Sequence, residues 1–207
     1  MRNVLLGKVV VMLAFILLAT VSFARPANAQ RRDYLTESEI ELVRDAQEID
    51  RRIHVLTQAI DRRFAVLQIS AGANSSKYDD KWGEPPQGTR AELFRDIDGL
   101  LQKAVDDIDD VASHRSAAPP KEPSTADEKD NKDSKREAAR FPNAVRSLAS
   151  AAARYRTALA ATLEKSTDDA ERGPIMDSID LCDQIISAST QIPADVQEEK
   201  KKRSGKN

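Results

Sequence analysis

Two arginine pairs are the residues whose type and spacing best suit binding chemistry. Arg51-Arg52 and Arg62-Arg63 occur in a phrase of eleven residues that is written twice without a gap, over 47–57 and 58–68. Eleven residues make close to three helical turns, so on a helix the two copies lie above one another. The spacing predicts a two-tier cationic surface beside an apolar stripe. Such a surface would suit an anionic partner: a phospholipid surface, an anionic wall polymer or an acidic protein.

A structural role for the same arginines is the alternative. Arg52 and Arg63 lie at the edge of the stripe, where long side chains pack their stems on apolar surface and pair with acidic neighbours such as the last helix. Eleven-residue repeats also occur in lipid-surface helices, and the chain resembles apolipoprotein-like and synuclein-like proteins in this period only. Trp82, the single tryptophan, is a further candidate for partner binding, although a lid over one end of a helical bundle is the favoured interpretation.

Catalytic and cofactor motifs do not appear in the sequence. Neither histidine, His54 or His114, follows a glutamate at the Glu-x-x-His spacing of di-iron bundles. The single cysteine, Cys182, lacks the Cys-x-x-Cys-His context of covalent haem attachment and lies on an apolar stripe, as a buried inert thiol does. These patterns predict a protein without enzymatic activity, metal or cofactor. A haem held by the histidines or by Met176 is a third possibility.

The first 29 residues predict export. Arg2 and Lys8 precede an uninterrupted apolar run over 9–21, and Ala27-Asn28-Ala29 forms a signal-peptidase pattern, which predicts cleavage between Ala29 and Gln30. The thirteen-residue run is shorter than the roughly 20 residues that cross a bilayer. We therefore expect a secreted or periplasmic protein. Asn74-Ser75-Ser76 fits a glycosylation acceptor, which matters only in a host that modifies such sites.

The processed chain has the composition of a helical protein. It keeps 29 basic and 34 acidic residues, a net charge of −5, which argues against nucleic-acid binding. Aromatic residues make up 4% and the whole chain has seven glycines, which disfavours a sheet protein. A single cysteine cannot form an intramolecular disulfide. Stability must therefore come from helix packing.

Apolar residues at steps of three and four predict four helices. The first begins at a capping box of Thr36 and Glu39 and runs to about Ala71, with Gly72 as its stop. The second begins at the matching pair Thr89 and Glu92. The third spans about 135–165, with Pro142 as either its first residue or a kink, and the fourth follows a turn at 168–173.

These helices predict an all-α fold: an antiparallel four-helix bundle over 30–193, made of two hairpins joined by a disordered linker over 116–134. The second, third and fourth helices carry net charges of −3, +5 and −5, which would place the third between the two acidic helices. Residues 194–207 form a basic tail predicted to be disordered. An elongated pair of hairpins that dimerises is the alternative.

The expected function is that of an exported, non-catalytic interaction protein, a scaffold or chaperone-like adaptor. Its partner is a protein or another envelope component, and the chain is a monomer or a homodimer. Reversible binding to an anionic lipid or envelope surface through 47–68 is the alternative. The candidate partner-binding residues are Arg51, Arg52, Arg62, Arg63 and Trp82.

Overall fold

The part of the chain that the structure describes contains five α-helices and one short 3-10 helix. The computed structural model describes residues 33–72, 80–117 and 128–190, and no β-strand occurs within these ranges. The helices are α1 (Glu37–Asp45), α2 (Ile49–Val66), α3 (Arg90–Ala117), α4 (Glu128–Leu163) and α5 (Asp169–Ser189), and the 3-10 helix is Asp80–Trp82. The predicted signal peptide, the basic tail and Asn74 lie outside the described residues.

The first predicted helix is broken into two. The capping box is confirmed: Thr36 Oγ1 accepts the Glu39 amide at 3.3 Å, and the Glu39 carboxylate accepts the Thr36 amide at 2.9 Å. The uninterrupted helix from Thr36 to about Ala71 is wrong, because α1 ends at Asp45 and α2 begins at Ile49. Arg52 stabilises the break by donating from Nε to the Ala46 carbonyl at 3.0 Å.

The other helix ends are set by local chemistry. α2 stops at Val66, before the expected Gly72, because Gln68 adopts a left-handed conformation with a φ of 58°. At the start of α3, Thr89 and Glu92 exchange hydrogen bonds as predicted. α5 begins at Asp169, where the Asp168 carboxylate accepts the Ala170 amide at 2.9 Å, so the predicted turn at 168–173 is wrong because residues 169–173 are already helical.

The long helix α4 differs from its prediction at its start. It begins at Glu128, inside the range 116–134 predicted as a disordered linker, and Pro142 lies within this longer helix, which is the second of its two predicted placements. Residues 118–127 of that range lie outside the described residues. The charged sequence before Phe141 contains few large apolar residues, so its composition alone does not predict a helix.

The apolar stripes of α2 to α5 pack into one shared core. Each large aliphatic or aromatic side chain that becomes fully buried contributes about 1.5–3 kcal/mol to folding. Phe64 and Tyr155 stack with their ring centroids 5.3 Å apart, which joins α2 to α4. The most deeply buried large side chains of α2, α3 and α4 include Ile53, Leu56, Ile60, Phe64, Leu93, Phe94, Ile97, Leu100, Leu101, Leu148 and Tyr155. α5 contributes Ile175 and Cys182, which are also fully buried.

The order of neighbours differs from the charge-based prediction. Within the described residues, α2 packs against α3 and α4, α5 packs against α3 and α4, and α3 touches α4 only slightly. The basic α4 therefore does not separate the two acidic helices, which lie side by side. Exposed ion pairs contribute about 0–1 kcal/mol each. Apolar burial is larger and decides which helices meet.

The ion pairs between helices reveal the helix directions. Glu48 pairs with Arg140 at 2.6 Å and Asp61 lies 3.6 Å from Arg154, so α2 and α4 run in the same direction. By contrast, Arg52 lies 3.7 Å from Asp107, whereas Arg63 lies 3.9 Å from Asp96. These two contacts make α2 and α3 antiparallel. Antiparallel packing thus holds within this hairpin and not between α2 and α4.

Candidate functional site

The second arginine pair lies inside the protein. Arg62 is 3% exposed and Arg63 is 1% exposed, and both meet the carboxylate of Glu39, which is fully buried. Glu39 Oε1 accepts from Arg62 Nη1 at 2.7 Å and from Arg63 Nη1 at 2.5 Å, while Oε2 accepts from Arg63 Nη2 at 2.7 Å. Asp96, also buried, lies beside Arg63. We name Glu39, Arg62, Arg63 and Asp96 the arginine cluster; its two positive and two negative charges balance.

Arg62 ties the loop before α3 to the helices. Its Nη2 donates to the Glu84 carbonyl at 2.5 Å, and its guanidinium lies 5.4 Å from the centre of the Trp82 ring. The loop approaches α1 so closely that a Cβ at Gly83 would lie 2.3 Å from the Ser38 hydroxyl, and Gly83 has a φ of 60°. Only glycine adopts this conformation here without strain.

Arg63 holds the segment before α1. Its Nη2 donates to the Tyr34 carbonyl at 2.6 Å, and its Nη1 also donates to the Ala59 carbonyl at 2.9 Å. Buried guanidinium groups are tolerated only where charges and hydrogen bonds offset the loss of hydration. The arginine cluster therefore fastens the segment 34–39 onto α2.

The predicted two-tier cationic surface does not form. Of its four arginines, Arg51 is exposed, Arg52 is half-buried against Ala46 and Asp107, and Arg62 and Arg63 are enclosed. The reason is the bend after Asp45, which folds α1 back over the second repeat. Arg52 and Arg63 do pair with acidic residues, as the alternative predicts, but these belong to α1 and α3 and not to the last helix. Arg51 and Arg52 stay candidates for partner binding.

Trp82 fits the lid interpretation better than a binding role. Its side chain is 3% exposed and belongs to the shared core. A partner could reach little of the ring in this conformation. The indole contributes burial and a cation–π contact with Arg62 instead.

A separate groove opens where α2 ends, α3 begins and α4 turns into α5. Its volume is about 670 Å³, and residues of both charges line it, including Arg90, Lys165 and Glu171. Glu171 is already engaged, because its carboxylate accepts from Arg90 Nε at 3.0 Å and from the Ser166 hydroxyl at 3.2 Å. The groove is thus polar and open, and its ion pair joins α3 to α5.

Burial raises the pKa of two side chains in the core, Tyr155 and Cys182. Tyr155 donates its hydroxyl to the Thr57 carbonyl at 3.0 Å, and burial, with Asp61 nearby, raises the pKa of its phenol well above the ordinary value. Burial, followed by the charge of Asp183, raises the pKa of the Cys182 thiol to about 12. Such a thiol is a poor nucleophile at neutral pH. In the described parts of the chain, no three His, Cys, Asp or Glu residues converge as a metal site.

Glu39 is the member of the site that the sequence pattern does not reveal as a binding residue. Its position three residues after Thr36 identifies it only as half of a capping box. A second signal is present: with Leu35 four residues before it and Leu42 three residues after it, Glu39 lies on the apolar face of α1. A carboxylate on an apolar face indicates a buried cationic partner.

Comparison with protein-family models, curated proteins and solved structures finds no match to this chain. In the ranges that the structure describes, no helix is both long and apolar enough to cross a membrane.

Proposed function

We propose that this chain is an exported, non-catalytic helical protein that acts by binding another macromolecule, as a scaffold or chaperone-like adaptor. In this proposal α2 to α5 form a four-helix bundle of two antiparallel hairpins, and residues 1–29 are removed on export. The bundle supplies a rigid body, and its charged outer faces meet a protein or another envelope component.

One observation favours this proposal over lipid binding. The apolar stripe of the repeat is already used inside the protein, since Ile53, Leu56 and Ile60 are fully buried and Phe64 is 1% exposed. A helix that lies on a membrane needs its apolar face free to enter the lipid. Lipid binding through 47–68 would therefore require the core to open.

Circular dichroism with anionic phospholipid vesicles separates these two functions. A folded adaptor should keep its helicity at 222 nm and the emission of Trp82 when vesicles are added. Vesicles of neutral phosphatidylcholine are the matched control. A strong rise in helicity with the anionic vesicles alone would favour the lipid-binding function and contradict the adaptor.

The partner-binding half of the proposal centres on Arg51, the most accessible of the predicted site residues, with 73% of its side chain exposed. The test compares purifications of the wild-type chain and Arg51→Glu from the native envelope, with Arg95→Glu, an exposed charge on α3, as the control. We expect one component to be lost with Arg51→Glu and kept with Arg95→Glu. If no component is enriched with the wild type, the adaptor proposal fails.

Export has its own test. Sequencing the amino terminus of the protein from the extracytoplasmic fraction should begin at Gln30. Protein that is found only in the cytoplasm and still carries residues 1–29 would overturn this part of the proposal.

A further inference from the structure

The bend between α1 and α2 occurs in a sequence without a helix breaker. Residues 45–48 read Asp-Ala-Gln-Glu, with no glycine or proline, and the apolar stripe continues across them from Leu42 through Ala46 to Ile49. The start of α2 is also weakly stabilised, because its N-cap residue, Glu48, makes no side-chain capping hydrogen bond. A continuous helix would give the first amides of α2 their ordinary carbonyl partners. Local preference therefore favours a straight helix, and tertiary contacts impose the bend.

Those tertiary contacts are few. Among the described elements, α1 packs against α2 and the 3-10 helix. Its main polar attachment is Glu39 in the arginine cluster, and Arg52 holds the bend through the Ala46 carbonyl. α1 is thus a nine-residue arm, held by one buried carboxylate and a small apolar contact.

A straight helix excludes the docked arm. Glu39 and Arg62 are 23 residues apart in sequence. At the helical rise per residue, a straight helix would separate them by roughly 35 Å. In that conformation the two buried arginines lose the Glu39 carboxylate, and breaking a buried ion pair is strongly unfavourable.

We propose that two copies of this chain exchange α1. In the exchanged dimer α1 and α2 form one helix over 37–66, and Glu39 of each copy enters the Arg62/Arg63 position of the other. The second copy is the occupant that fits best, because it supplies the same carboxylate with the same flanking side chains. Each docked contact is then remade between chains, and only the bend changes. This is the condition under which exchange of an element produces a dimer at low cost.

Proline at position 48 separates the bent from the straight form. Glu48 precedes the first residue of α2, with a φ of −92° and an extended ψ of 136°, so a shift of roughly 25° in φ brings it to the value near −65° that proline requires. Inside a straight helix the same proline removes an amide and clashes with the preceding turn. Glu48→Ala is the matched control, since it also loses the ion pairs with Arg51 and Arg140 but favours helix.

The measurement is sedimentation of the purified protein over a range of concentrations after long equilibration. We expect Glu48→Ala to dimerise more than the wild type. Glu48→Pro should dimerise about 100-fold or more weakly than Glu48→Ala, because proline is much less favourable than alanine inside a helix. Equal dimerisation of both variants, or a monomer for both at every concentration, would overturn the proposal.

A mixing experiment identifies the contact that is exchanged. Glu39→Gln has a defective arm and an intact arginine pair, whereas Arg62→Gln/Arg63→Gln has the reverse. A mixed dimer joins the intact arm to the intact pair, so native mass spectrometry should find more mixed dimer than the statistical half. A statistical distribution, or a mixture that stays monomeric while Glu48→Ala dimerises, would show that another surface forms the dimer and would overturn the exchange.

Discussion

Replacing Glu39 with glutamine tests whether the arginine cluster holds the structure together. The substitution keeps the size of the side chain but removes the charge that faces Arg62 and Arg63. Glu39 accepts three hydrogen bonds from the two arginines and one from the Thr36 amide, all between 2.5 and 2.9 Å. Removing one partner of a buried ion pair costs about 3–5 kcal/mol, because the remaining charge stays buried without compensation.

The expected loss translates into a measurable change in melting temperature. For a domain of this size, each kcal/mol corresponds to roughly 2–4 °C, so the melting temperature should fall by about 6–20 °C. The free energy of undocking α1 sets an upper limit on this loss of stability, because the arm can leave while the other helices stay folded. In that event far-UV circular dichroism would change little, whereas Trp82, which is buried beside Arg62, would shift its emission to longer wavelength.

Urea unfolding followed by both signals provides the assay. The matched control is Glu41→Gln on the same helix, where Glu41 pairs with Arg44 and 62% of its side chain is exposed. Exposed pairs of this kind change the free energy of unfolding by up to about 0.5 kcal/mol. The reasoning is refuted if Glu39→Gln costs no more than Glu41→Gln and leaves the Trp82 emission unchanged.

Three further predictions follow from the buried groups. Burial and the nearby Asp177 raise the pKa of the Asp98 carboxyl, so the folded protein binds this proton more tightly than the unfolded chain and loses stability as the pH rises through the folded-state pKa. Asp98→Asn should therefore be more stable than the wild type at pH 7 in urea unfolding, with the difference shrinking as the pH falls; an unchanged difference at all pH values would contradict this. Tyr155→Phe removes the hydroxyl that donates to the Thr57 carbonyl and should lower the free energy of unfolding by about 1–2 kcal/mol in the same assay, a prediction that a change below about 0.3 kcal/mol would refute. Finally, a thiol with a pKa of about 12 is about one part in 10⁴ thiolate at pH 8, so a disulfide reagent should label Cys182 at least 100-fold more slowly in the folded protein than in urea, and rapid native labelling would contradict its burial.

The starts of α1 and α3 follow from nearby sequence. Thr36 with Glu39, and Thr89 with Glu92, make their capping bonds within three residues, so no tertiary information is needed to place them. The stripes that become buried are likewise visible, because the period of a helix fixes which side chains share a face. These are short-range effects, which is why they could be predicted.

The sequence by itself determined that the protein is helical, where α1 and α3 begin and which face of each helix is apolar. Tertiary structure decided three other things: the bend after Asp45, the burial of Arg62 and Arg63, and the contact between the two acidic helices. Each of these depends on groups distant in sequence, such as Glu39 meeting Arg62 across 23 positions. Periodicity shows that a face will be covered but does not identify the covering segment. That choice depends on the whole core, where apolar burial and one buried carboxylate outweigh both the local helical preference and the surface charges.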